Sequence, residues 1–134
     1  MTDKLDQQSI EALISYRLER AEESLKVADF NASGEFYNTA VNRLYYACYY
    51  AASALMVATN HTPATHNGVK VILNLNFIRP GLLEQKYGAI YQQLFEKRQS
   101  GDYEDFVYCD NEEYQRLKEA SIQFVEALTR LIQK

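Results

Sequence analysis

Phe36 to Met56, FYNTAVNRLYYACYYAASALM, decides the fold. Ala40, Val41, Leu44, Cys48, Ala51, Leu55 and Met56 recur at three- and four-residue intervals. That spacing lines them along one side of an α-helix; a strand would repeat every second residue. Phe36 and Tyr37 extend the same apolar set upstream. Ala47, Ala51, Ala54 and Ala58 add small side chains that let another helix approach closely. The spacing predicts a central helix over 33–59, around which the rest of the chain packs.

Working outward, Ile10, Leu13, Ile14, Arg17, Ala21, Leu25 and Ala28 keep the helical period and predict a first helix over 7–29, broken by Asn31-Ala-Ser-Gly34. Downstream, Asn60-His-Thr-Pro-Ala64 reads as a loop, and Thr65 can cap a short third helix reaching Leu75. Asn76-Phe-Ile-Arg-Pro-Gly81 is a second break, and Leu82 to Arg98 reads as a fourth helix. After a loop over Gln99–Cys109, Asp110 followed by Glu113 gives a capping-box-like start. Tyr114, Leu117, Ser121, Phe124, Leu128 and Leu131 then repeat on a final helix. No strand-like alternation, internal repeat or low-complexity segment interrupts this. The expectation is an all-α fold, an up-and-down bundle of four to five helices.

The 134 residues suit one domain over 1–134, large enough for a single core. With 47% hydrophobic and 24% charged residues the chain is globular, and its apolar runs are broken well short of membrane-spanning length. The start, Met-Thr-Asp-Lys-Leu-Asp, lacks the basic-then-apolar layout of a secretory signal, so a cytoplasmic location and no membrane association are expected. Cys48 and Cys109 form no Cys-x-x-Cys and no Cys/His metal spacing. Neither a disulfide, a metal nor a cofactor is expected, since a Gly-rich phosphate loop and a cluster of acidic and histidine ligands are also missing from the sequence.

Net charge is −4, unevenly spread. Residues 1–35 carry four basic and eight acidic groups, residues 36–98 six and two, and residues 99–134 four and eight. A basic centre between acidic ends can present a modest anion-binding surface, although solvated helix faces produce such imbalances too and no arginine-rich cluster of a strong nucleic-acid binder is seen.

Two polar clusters stand out from this pattern. Arg98-Gln-Ser-Gly-Asp102-Tyr103 brings a guanidinium, a carboxylate and a phenol within six residues, and Asn42-Arg43-Leu44-Tyr45-Tyr46 lies inside the core-forming helix. Arg98 and Asp102, four apart, suit either a site or a local ion pair at a helix end. Arg43, on a mostly buried helix, needs an anionic partner: Asp102 or the anion of a ligand. Tyr45, Tyr46, Tyr49 and Tyr50 form two columns that either stack bases or, as amphipathic tyrosines more often do, line a core edge or subunit interface. His66, just after the cap Thr65, is either an anion contact or a surface group.

Three segments together, Ala40-Val-Asn-Arg43-Leu-Tyr45-Tyr46-Ala47, Thr65-His66-Asn67-Gly68 and Leu94-Phe-Glu-Lys-Arg98-Gln-Ser-Gly-Asp102-Tyr103, resemble the HEPN superfamily in its small bacterial and archaeal branch with an Arg-x-x-x-Asp-Tyr motif. The resemblance covers about residues 10–133. It implies a dimerising helical bundle, and many relatives are RNases or toxins encoded beside a minimal nucleotidyltransferase. Catalytic members carry arginine and, four to six residues on, histidine. Their histidine moves protons while the arginine stabilises charge on the phosphate. Here Arg98 matches the arginine but Tyr103 stands five residues later, and the two histidines are His61 and His66. A phenol with an ordinary pKa near 10 is a poor base at neutral pH.

The favoured expectation is therefore a non-catalytic or weakly catalytic nucleotide- or RNA-binding module, a homodimer paired with a nucleotidyltransferase in a toxin–antitoxin-type system. Arg43, Tyr46, His66, Arg98 and Asp102 would hold the ligand. The alternative is an RNase toxin using Arg98 with Tyr103 or His66. A third reading makes the Arg43, Asp102 and Tyr103 cluster a structural network with no ligand. Tyr103 or Tyr108 as an adenylylation acceptor is a further expectation from the resemblance, although Asp105 stands where that pattern ends in tyrosine.

Overall fold

A computed structural model describes the backbone of residues 6–103 and 109–134, and the side chains of all of these except 99–103. Among the described residues five α-helices follow one another: α1 (Gln7–Ser33), α2 (Tyr37–Ala58), α3 (His66–Leu73), α4 (Gln85–Tyr103) and α5 (Asn111–Ile132). There is no strand among the described residues. The bundle is organised on α2, which packs on α1 along the most extensive surface and also against α3, α4 and α5.

Local chemistry sets the starts. The Asp6 carboxylate accepts from Ser9 N, the Thr65 hydroxyl from Gly68 N at 2.9 Å and the Asp110 carboxylate from Glu113 N at 2.9 Å, each pairing an otherwise orphaned first-turn amide. Gly68 suits a close approach, since a Cβ there would press on Thr65 Oγ1 at 3.2 Å and Pro63 Cβ at 3.3 Å and the neighbours would have to give by a few tenths of an ångström. Between α1 and α2 the backbone passes through a left-handed residue that is not glycine, Glu35 at φ 66°.

The all-α bundle is as expected, with differences at its joints. The α1 helix runs four residues beyond the expected 29. The third helix continues past Leu73 as one wide π-type turn, Asn74–Ile78, so the expected break at Asn76 falls at Arg79. The α4 helix does not stop at Arg98 but continues to Tyr103, across part of the expected Gln99–Cys109 loop. Its Gly101 costs only about 1 kcal/mol relative to alanine, too little to end a helix already propagating. Arg98 is therefore not at a helix terminus, and the helix-dipole reading of its position falls away.

Ala40, Leu44, Tyr45, Ala47, Cys48, Ala51 and Ala52 of α2 are wholly buried, as are Ala21 and Ala28 of α1. From α4 the core takes Ile90, Tyr91, Leu94 and Phe95, and from α5 Tyr114, Leu117, Phe124 and Leu128. Burying each large apolar side chain contributes about 1.5–3 kcal/mol. Phe36, expected in the core, is 67% exposed because it precedes the first turn of α2 instead of lying on its inner face. Tyr114 donates to Asp29 Oδ1 at 2.6 Å and Lys118 pairs with Asp29 at 3.0 Å, fastening α5 to α1.

Candidate functional site

The packing of α2, α3 and α4 brings Tyr45, His66 and Arg98 together. Tyr45 lies between Val41 and Cys48 on the inner side of α2, which explains its complete burial. His66 is the first residue of α3, held by the Thr65 cap. Arg98 projects from α4 one turn after Leu94 and Phe95, both buried.

The Tyr45 hydroxyl lies 2.7 Å from His66 Nδ1. The imidazole stacks on Tyr49, with ring centres 4.1 Å apart and planes 11° from parallel, and meets Tyr46 edge-on at 6.1 Å. The Arg98 guanidinium carbon stands 5.2 Å from the centre of the Tyr45 ring and 5.9 Å from that of Phe95. Lys70 Nζ approaches the same Phe95 ring at 4.4 Å, and the Arg43 guanidinium carbon lies 4.9 Å from the centre of Tyr46. Aromatic faces attract cations electrostatically, so these rings hold three positive charges in place.

None of Arg43, Lys70 and Arg98 forms an ion pair with a described carboxylate. Arg98 Nε is buried with no hydrogen-bond partner among the described residues, and so is the Tyr91 hydroxyl. That hydroxyl faces the Tyr45 oxygen closely enough to act on its proton affinity as a hydrogen-bond donor, but outside the distance and angle of a well-formed hydrogen bond.

Proton affinities follow from these surroundings. Burial pushes the Tyr45 phenol up to about 12, so it is a neutral hydrogen-bonding group throughout the physiological range. His66 moves the other way: burial first, then the Arg98 charge, hold its imidazole below the ordinary histidine value. Both effects favour the neutral ring. Cys48, wholly buried, is pushed up to about 12 and is no nucleophile.

Of the residues the sequence singles out, the structure joins His66 to Arg98 through Tyr45, and places Arg43 and Tyr46 on the same side of α2 as His66's ring contacts. His61 is elsewhere: Thr59 Oγ1 and Asn76 Nδ2 occupy its two ring nitrogens at 2.9 and 3.3 Å. The side chains of Asp102 and Tyr103, and all of Tyr108, lie outside the described residues, and the expected Arg43–Asp102 clamp lies outside them too. Sequence reasoning passed over Lys70 and the pairing of Tyr45 with His66. Tyr45 carried a signal, its register with Val41 and Cys48, which assigns it to the buried side.

Tyr49 also lines a cleft of about 710 Å³ between the first half of α1 and the end of α2, together with Leu13, Arg17, Tyr50, Met56 and His61. Its volume is that of a small-ligand pocket. Among the described residues no group of histidines, cysteines and carboxylates has the arrangement of a metal centre, and no helix is long and apolar enough to cross a membrane.

Residues 14–131 match the HEPN domain family model. The chain is 33% identical over 123 residues to a "UPF0332 protein" of Thermotoga maritima, covering 92% of this chain and 93% of that one. It is 32% identical over 127 residues to a "Putative toxin" of Methanocaldococcus jannaschii, covering 95% and 91%. A second protein so named in the same organism is 30% identical over 100 residues, 75% of this chain and 68% of its own. A family match across nearly the whole helical bundle, with full-length relatives above 30% identity, places this chain in the HEPN domain family.

Proposed function

We propose that this HEPN chain is a toxin-like module that binds the phosphate of a nucleotide or RNA on the face formed by Arg43, His66, Lys70 and Arg98. One observation carries the reading: Arg98 is held against Tyr45 and Phe95, beside His66 and with Lys70 on the same Phe95 ring, with no described carboxylate to balance it. Partly desolvated cations without counter-charges are costly unless a ligand supplies the charge. The names of the two Methanocaldococcus relatives support a toxin role; a toxin–antitoxin setting, with the chain in the cytoplasm beside a minimal nucleotidyltransferase, extends that reading. Phe30 and Phe36, 78% and 67% exposed on either side of the α1–α2 turn, supply an apolar patch for a homodimer.

Binding without cleavage fits the site better than an RNase reaction. No histidine follows Arg98 in the family spacing, and the histidine that is present has one ring nitrogen engaged by Tyr45. Titration with short RNAs and nucleoside phosphates, with RNA integrity followed in the same tubes under chelator, tests the reading. Binding that weakens at least tenfold in Arg98→Ala, with the RNA intact, is expected. Equal binding by the variant would refute the site, and cleavage abolished by Arg98→Ala would replace the binding role with an RNase.

A further inference from the structure

Two features fix where the His66 proton sits. Among the described residues the Tyr45 hydroxyl has one well-formed hydrogen-bond partner, His66 Nδ1 at 2.7 Å, and Tyr45 is wholly buried. A buried hydroxyl left without an acceptor is costly, so the phenol keeps its proton and donates a hydrogen bond to an unprotonated Nδ1. In a neutral imidazole the remaining proton must then be on Nε2, on the far side of the ring from Tyr45. Nε2 is not among the buried polar atoms lacking a partner, and no described group hydrogen-bonds to it. Among the described residues it is the half of the ring left for a ligand.

We propose that Tyr45 locks His66 as a neutral Nε2–H donor, and that His66 and Arg98 together grip a phosphodiester oxygen without exchanging a proton with it. This deepens the phosphate-binding reading and rests on it: Arg98 supplies charge, His66 a directed hydrogen bond, and Tyr49 fixes the ring plane by stacking. The groups facing the imidazole agree with a neutral ring. Tyr45, Tyr46 and Tyr49 approach it from α2 and Arg98 acts on it from α4; three present aromatic rings and the fourth repels a second positive charge. A described carboxylate that would stabilise an imidazolium is not among them. The same tautomer makes His66 unable to serve as a general base, because the exposed nitrogen already bears the proton. Tyr45 is thus a positioning residue.

The test has two arms. In the ligand-free protein, nitrogen-15 correlation spectra of the His66 ring report the tautomer directly. Nδ1 at the unprotonated shift and Nε2 at the protonated shift are expected, with a mixed population in Tyr45→Phe. A dominant Nδ1–H form in the wild-type protein would overturn the proposal. In the second arm a short 2′-O-methyl RNA with hydroxyl ends is the probe, since its diester phosphates keep one charge across the range used. Affinity should vary less than about twofold from pH 6.5 to 8. It should stay within about threefold in His66→Gln, whose amide can still donate, and fall about tenfold in His66→Ala, with thermal melts confirming that both fold. Affinity that falls steadily with rising pH would mean an imidazolium and refute the neutral donor. Metal-independent cleavage of an unmodified RNA that disappears in His66→Gln would equally refute it. If the wild-type protein binds no RNA while the tautomer is as expected, the phosphate-binding reading itself fails and the donor role falls with it.

Discussion

Replacing Arg98 by methionine separates a ligand site from a structural network. Methionine keeps a flexible stem of similar reach, removes the charge, and leaves a sulfur that packs well against Tyr45 and Phe95. Two cation–aromatic contacts at 5.2 and 5.9 Å are lost, each about 0.5–1 kcal/mol at a partly exposed position. Against this, the buried Nε without a described partner disappears, recovering about 1–3 kcal/mol, and sulfur–aromatic contact adds about 0.3–1.5 kcal/mol. The balance runs from about 0.7 kcal/mol lost to about 3.5 kcal/mol gained, most of the range stabilising, and a chain of this length gains roughly 4 °C in Tm per kcal/mol. Binding moves oppositely: a hydrogen bond to a charged group is worth about 1.5–3 kcal/mol, so phosphate affinity should drop at least tenfold. His66 responds as well, since loss of the Arg98 charge lets its pKa rise while burial still holds it below the ordinary value. Thermal melts, RNA titration and proton NMR of the histidine rings give the three readings. A variant destabilised by 2 kcal/mol or more that binds RNA as well as the parent would refute the reasoning, because the guanidinium would then be holding helices and not a ligand.

Other consequences are more local. Glu35→Gly relieves a left-handed glutamate, at φ 66°, and should add about 1 kcal/mol, a rise of roughly 4 °C in thermal melts; no change would place the strain elsewhere. Tyr114→Phe removes the donor to Asp29 and should cost about 1 kcal/mol in urea unfolding, the value reduced by the half-exposed carboxylate. The pH dependence follows: burial would raise the Asp29 carboxyl, but hydrogen bonds from Tyr114 and Lys118 and the Lys118 charge outweigh it and hold the group below the usual range. Its contribution is present above about pH 4 and lost as pH falls through the lowered folded value, so Tyr114→Phe should flatten the acid limb of stability. An unchanged acid limb would contradict that assignment.

The sequence made the helices legible because their apolar residues keep a three-and-four repeat over many turns: Tyr114 through Leu128 reads as the buried side of α5, and it is. The cap residues Thr65 and Asp110 were legible too, being short polar side chains ahead of a periodic run. The joints were not. Whether Gly101 ends a helix depends on a difference of about 1 kcal/mol that no local pattern reports, and Phe36 looks like a core residue until the turn at Glu35 turns it outward. Arg98 and His66 could each be marked as candidates, but their meeting depends on Tyr45 of a third helix, 21 residues from His66. A contact of that kind follows from helix packing, which periodicity leaves open.

The placement of polar strain argues further for function on this face. Elsewhere the buried polar groups are answered: Ser121 donates to Leu117 O at 2.7 Å and Tyr114 to Asp29 at 2.6 Å. The two buried side-chain atoms without partners among the described residues, Tyr91 Oη and Arg98 Nε, belong to α4 and flank the same Tyr45 ring. A network built to fix helix register gains by closing every hydrogen bond, because a half-satisfied one is worse than an apolar core. A ligand site tolerates the shortfall, since the missing interaction is supplied on binding and the cost is borne by surrounding packing. The Tyr45 cluster has the second pattern. Its rigid parts, Tyr45, Tyr91 and Phe95, are core residues, and its open valences, His66 Nε2 and the Arg98 guanidinium, belong to half-buried side chains at its edge. Stability and recognition therefore draw on the same three aromatic rings, so substitutions beneath the site should weaken both, whereas substitutions at its edge should weaken recognition without a comparable loss of stability.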